Sequence, residues 1–208
     1  MPKRKVFISY HHKNDQEYKE KLLKLNENHN IFIDMSVDTG DIDDNLSDET
    51  IRTKIRDEYL KDSTVTILLV GTQTKYRKHI DWEIYSSMYN GKINKKSGIL
   101  VIQLPTIKPQ YITSSCEGEK ENVYTDIYSW ISIDNKNEYK RRYPCLPDRI
   151  IDNLMKKDVN ISVTKWKYVE NHPENLKILI DCAFKNREKN NYDLSKPMRR
   201  KNVEKECI

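Results

Sequence analysis

Apolar residues in the first half of the chain gather into four short blocks divided by polar stretches: Val6-Phe7-Ile8, Ile31-Phe32-Ile33, Val65–Val70 and residues 99–102. Their length and β-branched content predict strands. The third and fourth blocks are apolar almost without interruption, the pattern of strands covered on both faces of a parallel sheet. Between the blocks the spacing changes to that of helices: Tyr18, Leu22 and Leu25 share one face, as do Ile51, Ile55 and Tyr59. A third helix begins near Thr74 and carries His79, Ile80, Asp81, Trp82 and Glu83. Strand and helix alternating with crossovers of this length predict an α/β fold, doubly wound around a mainly parallel sheet of flavodoxin-like topology.

After Leu104 the pattern weakens. Pro105 and Pro109 open a polar stretch, residues 105–123, that reads as an insertion or mobile loop. The aromatic segment 124–133 suggests a fifth strand, which closes a first domain at 1–134 around a core at 5–104. A helical extension packed on that core is expected over 135–189, with one helix between Pro147 and Lys157 and an amphipathic one over 173–187. There Leu176, Leu179, Ile180, Ala183 and Phe184 fall on one face. Residues 190–208 offer little to bury and read as a flexible basic tail.

Charge refines this picture. The 208 residues hold 37 Lys and Arg against 32 Asp and Glu, but 185–208 alone carries 8 and 4, leaving a nearly neutral body of 29 against 28. With no aromatic interleaving and no concentrated basic stripe, no nucleic-acid partner is expected. No stretch reaches membrane-spanning length, and Met1 to Lys5 lead into an apolar run too short for a signal peptide, so the protein is expected in the cytoplasm without a membrane partner. Cys116, Cys145, Cys182 and Cys207 form no close pair of the zinc or thioredoxin kind, and reduced thiols are the default. Adjacent His11 and His12 lack further partners at ligand spacing, so no metal site and no prosthetic group are predicted.

Ligands of open parallel sheets bind beyond the carboxyl ends of the strands, in crevices lined by crossover loops and helix amino termini. That rule selects residues 9–15, 34–48, 71–74 and those from Gln103 onward. On the third helix Ile80, Ile84, Ser87 and Met88 define the buried stripe, and Glu83, about 60° from Ile80, sits at its edge. A carboxylate held there can face a ligand; equally, Glu favours helices and their early turns. Trp82 and Phe7 read as packing or as ligand contacts. A P-loop and a Gly-rich dinucleotide turn are absent. A receiver domain would need acidic residues after the first strand, where Ser9-Tyr10 stand, and an Asp where Gly71 stands. Nor is the 11–15 loop, His-His-Lys-Asn-Asp, rich in Thr and Gly like a flavin phosphate loop.

Four motifs in order, Val6-Phe7-Ile8-Ser9-Tyr10, Phe32-Ile33-Asp34, residues 63–69 with Gly71-Thr72-Gln73-Thr74, and Glu83-Ile84, resemble those of a TIR domain. The resemblance is nearest to the TIR-like ThsB proteins of bacterial Thoeris antiphage defence and extends more loosely to Trp166 and the 176–184 helix. It implies an enzyme that consumes NAD+ as substrate, breaking the nicotinamide–ribose bond to give a cyclic or modified ADP-ribose second messenger. It implies Glu83 as the catalytic residue and Phe7, Ser9, Tyr10, His11, Asp34, Thr72, His79 and Trp82 as candidate substrate contacts. It further implies a separate effector protein answering the product, a phage-derived trigger and self-association through TIR surfaces. The chain departs from the family at His79, where relatives often carry an aromatic ring four positions before the glutamate, and in the long acidic 35–49 loop with its single Gly40. A non-enzymatic TIR assembly module, and a nucleoside N-ribosyl hydrolase or transferase, are the competing readings.

Overall fold

The first apolar block forms β1 (Lys5–Ser9), an inner strand of a sheet whose other strands are β2 (Ile33–Asp34), β3 (Val65–Val70), β4 (Gly98–Gln103) and β5 (Ser162–Lys165). The computed structural model describes residues 2–36, 42–43 and 45–207, so Gly40 lies outside the described residues. All five strands are parallel in the order β2-β1-β3-β4-β5. Helices α1 (His12–His29), α2 (Asp48–Lys54), α3 (Lys78–Met88), α4 (Glu117–Asn122), α5 (Lys136–Arg142), α6 (Asp148–Leu154) and α7 (Pro173–Asn186) connect and cover them. The doubly wound α/β architecture and the helical C-terminal region are as the alternation predicts.

Side chains leave a strand alternately up and down, and both layers here are apolar. Val6, Ile8, Val65, Ile67, Leu69, Leu100 and Ile102 meet Leu22 of α1 and Leu176, Leu179 and Ile180 of α7. On the other face Leu68, Val70, Ile99 and Val101 meet Ile80, Ile84 and Met88 of α3 and Ile150 and Ile151 of α6. Each such side chain contributes about 1.5–3 kcal/mol on burial, and this two-sided covering is why β3 and β4 have no polar alternation. Close approach also fixes Gly98, where a Cβ would sit 1.9 Å from the Ala183 carbonyl oxygen of α7.

Four expectations are corrected. Residues 124–133 form no strand: Tyr124 is buried while Tyr128 is 96 % exposed, and Ile127 and Trp130 follow Tyr124 at intervals of three, which packs a meandering segment onto the edge of the core without ladder pairing. The fifth strand is instead β5, paired with β4 from Leu100↔Ser162 to Gln103↔Lys165. The 105–123 stretch is pinned: the buried Glu119 carboxylate accepts from Ser114, Ser115 and Ser162, and Cys116 bonds to Cys182 of α7. The thiols are therefore not all free; Cys145 likewise bonds to Cys207, with Cα atoms 5.3 Å apart. Finally, the tail lies on the domain, where Asn190, Tyr192, Met198 and Cys207 are buried as anchors set too far apart to show as a stripe. The second block also differs in extent, since only Ile33 and Asp34 join the ladder, as an edge strand, while Ile31 and Phe32 are buried ahead of it.

Candidate active site

At the carboxyl end of β1 the alternation turns Phe7 and Ser9 toward α2 and α3, and Ile8 and Tyr10 toward α1 and α7. Ser9 thereby meets Glu83. The two residues are 1 % and 5 % exposed, and the Ser9 hydroxyl donates to Glu83 Oε2 at 2.6 Å. Burial pushes the Glu83 carboxyl up to about 7, with the serine hydrogen bond pulling the other way. Neutral pH thus lies where this group exchanges its proton, a common property of catalytic acids and bases. The rigid frame behind it is α3 docked on the sheet, tied to β3 by the buried contact between Thr66 and Ser87 hydroxyls at 2.8 Å.

The other predicted site residues divide between this location and elsewhere. Phe7 and Trp82 share an apolar cluster with Ile42, Ile51, Ile55, Leu60 and Met198 on the Glu83 side of the sheet. His79 is exposed on the first turn of α3, its ring 5.1 Å from that of Trp82. Tyr10 belongs to the opposite layer; its hydroxyl donates to Gln16 and its ring stacks on His12. His11, the residue that leads into α1, has a buried Nδ1 without a hydrogen-bond partner among the described residues and a pKa lowered by burial and then by Arg77. Asp34 is exposed at the end of β2, accepting from the Ser36 amide, while the Ser36 hydroxyl accepts from Ile8 N–H. Thr72 presents its carbonyl to the Cys207 amide at 2.8 Å.

Two features at this end of the sheet escaped the sequence. Asp15 in the first turn of α1 is 1 % exposed, and burial pushes its carboxyl up to about 6 against the hydroxyl of Thr74, 3.3 Å away. Thr74 in turn accepts from the Gly71 amide, and a Cβ at Gly71 would lie 2.2 Å from Asp15 Oδ1, so glycine is what lets the carboxylate pass the end of β3. The second feature is the returning chain. Trp82 donates its indole N–H to the Arg199 carbonyl at 2.7 Å, the Arg199 amide donates to Asp81, and the Lys78 amide donates to Asn202. Arg77 pairs with Glu204, and the strap ends at the Cys145–Cys207 bond. Asp81 is also held by both arms of the Arg149 guanidinium at 2.8 and 3.0 Å.

Among the described residues one group has the composition of metal ligands, Cys116, Glu119 and Cys182. Its two sulfurs are joined to each other and its carboxylate is filled by serine donors. No helix is long and apolar enough to cross a membrane among the described residues.

Residues 7–109 match the profile of a family described as Thoeris protein ThsB, TIR-like domain. No curated protein matches the chain.

Proposed function

Residues 7–109 form a TIR-like domain of the Thoeris ThsB family, and on that premise we propose that the chain cleaves the nicotinamide–ribose bond of NAD+, with Glu83 as the catalytic carboxylate. The observation that carries the reading is the buried Ser9–Glu83 hydrogen bond at the carboxyl end of β1, beside the point where the strand order reverses. Nicotinamide leaves as a neutral ring from a cationic one, so the enzyme chiefly has to hold the ribose and stabilise the oxocarbenium-like centre that develops on it. An ionised Glu83, exchanging its Ser9 partner for ribose hydroxyls, supplies a negative charge next to that centre, as glycosidase carboxylates do. Its setting near 7 keeps a substantial fraction ionised at neutral pH while burial strengthens the charge once formed.

Glu83 is 5 % exposed, so the substrate reaches it when neighbouring segments yield. Self-association through TIR surfaces, a phage-derived trigger, or both would supply that opening. The product, a cyclic or modified ADP-ribose, would pass the signal to a separate effector protein in antiphage defence. An assembly module without catalysis is favoured by the same low exposure, and a purified-protein assay separates the two. The full chain is incubated with NAD+ at high protein concentration and the products are resolved by mass. Nicotinamide release that disappears in Glu83→Gln supports the proposal; equal NAD+ consumption by both proteins removes Glu83 from the mechanism. Free nucleosides run in parallel test the N-ribosyl hydrolase or transferase alternative.

A further inference from the structure

Beyond β4 and β5, on the same edge of the sheet as Ser9 but two strands along, lie two adjoining cavities of about 520 and 400 Å³. Gln110 and Lys165 line both. These volumes fall in the range of roughly 300–1,000 Å³ usual for small-molecule sites. Among the described residues no carboxylate lines either cavity. The larger wall combines cations with rings: the Arg142 guanidinium lies 5.0 Å from the Tyr111 ring centroid, and the Lys120 ammonium 5.6 Å from that of Trp130.

The cations differ in how far they are already neutralised. Arg142 pairs with Glu138, and Lys120 with Glu117. Lys165 has no ion pair among the described residues and donates only to the Gln110 carbonyl at 2.6 Å. Trp166, 4 % exposed and lining the smaller cavity, has a buried indole N–H without an acceptor among the described residues. An unpaired buried donor is costly and invites an acceptor. Cations and rings thus line the cavity walls at the strand ends, where the sheet geometry favours a ligand, with Lys165 common to both cavities.

We propose that these joined cavities bind a nucleotide, its phosphate on Lys165 with Arg142 beside it and its base against Trp130. An anion alone would make no use of the aromatic wall, and an uncharged aromatic would leave Lys165 unneutralised; a nucleotide meets both. The absence of a lining carboxylate among the described residues separates this site in chemistry from the Glu83 location.

Calorimetric titration of AMP, ADP and inorganic phosphate into the full chain tests this, with Glu83→Gln, Lys165→Ala, Lys165→Arg and Trp130→Ala alongside. The expected result is saturable nucleotide binding, equal in wild type and Glu83→Gln, weakened by about tenfold or more in Lys165→Ala and largely restored in Lys165→Arg. Trp130→Ala should weaken AMP and ADP but leave phosphate binding unchanged, which also reports that the variant is folded. The absence of saturable binding to wild type, equal binding by Lys165→Ala, or inorganic phosphate binding as tightly as ADP would overturn the proposal. Loss of binding in Glu83→Gln with retention in Lys165→Ala would move the ligand to the other location and overturn it as well.

Discussion

Replacing Glu83 by Gln should make the protein more stable at pH 8 while changing little at pH 5. In the unfolded chain the carboxyl titrates near 4.5, and in the folded protein near about 7 because burial disfavours its charge. The folded state therefore binds the proton more tightly. Its contribution to stability is fully present below pH 4.5 and declines as pH rises, until it is lost above about 7. A tenfold difference in proton affinity is worth about 1.4 kcal/mol, so the whole decline amounts to ~3 kcal/mol. Gln keeps the shape and can still accept from Ser9, but it has no proton to lose. Urea unfolding of both proteins at pH 5, 6, 7 and 8 gives the difference directly, because titrations elsewhere cancel between them. Asp15→Asn serves as the companion, since Asp15 is displaced from 3.8 to about 6 by its own burial and should flatten the curve independently. Parallel wild-type and Glu83→Gln curves from pH 5 to 8 would refute the argument, showing that the carboxylate is hydrated in the folded protein.

The remaining predictions concern its neighbours and the frame. Ser9→Ala removes the hydrogen bond that favours the ionised acid, a bond of about 1.5–3 kcal/mol, so the acid limb of NAD+ consumption should move upward. Activity at pH 7 should then fall roughly tenfold and recover near pH 9; an unmoved limb shows that Ser9 does not restrain Glu83. Gly98→Ala drives a methyl against the α7 backbone, which cannot turn aside as a side chain would, and should cost about 3 kcal/mol, seen as a melting temperature lower by roughly 10 °C. A shift within about 2 °C would mean that α7 floats on β4. Cys207→Ser should release the strap, so that limited trypsin digestion cuts after Arg199, Arg200 or Lys201 faster than in the oxidised wild type; equal cutting would show that the hydrogen bonds alone hold it.

Legibility in the sequence followed how local each determinant is. The nearly unbroken apolar runs of β3 and β4 announce two-sided burial within six residues, and the α7 stripe within three turns. Glu83 and Ser9 could be singled out because strand-end geometry and helix angle are both local rules, although their hydrogen bond was not visible. Strand β5 was missed because Ser162, Thr164 and Lys165 hide a four-residue edge strand behind polar side chains. Asp15 looked like an ordinary first-turn acid, since its burial depends on the missing Cβ of Gly71, 56 positions away. Both disulfides join residues more than 60 positions apart, a separation set by tertiary packing and by no spacing rule.

The strap across α3 also orders events in time. Helix α3 is made early, but the Arg199 carbonyl that receives the Trp82 indole and the amide that completes Asp81 belong to residues added more than a hundred positions later. At about 5–20 residues per second a ribosome needs roughly 6–25 s to travel from Glu83 to Cys207. Arg149 can serve Asp81 midway, but until Arg199 is added the Trp82 indole waits without its acceptor, and α3 gains its last ties from the final part of the chain. The Ser9–Glu83 pair can thus form from the first half of the chain, whereas the outer face of its helix is sealed last.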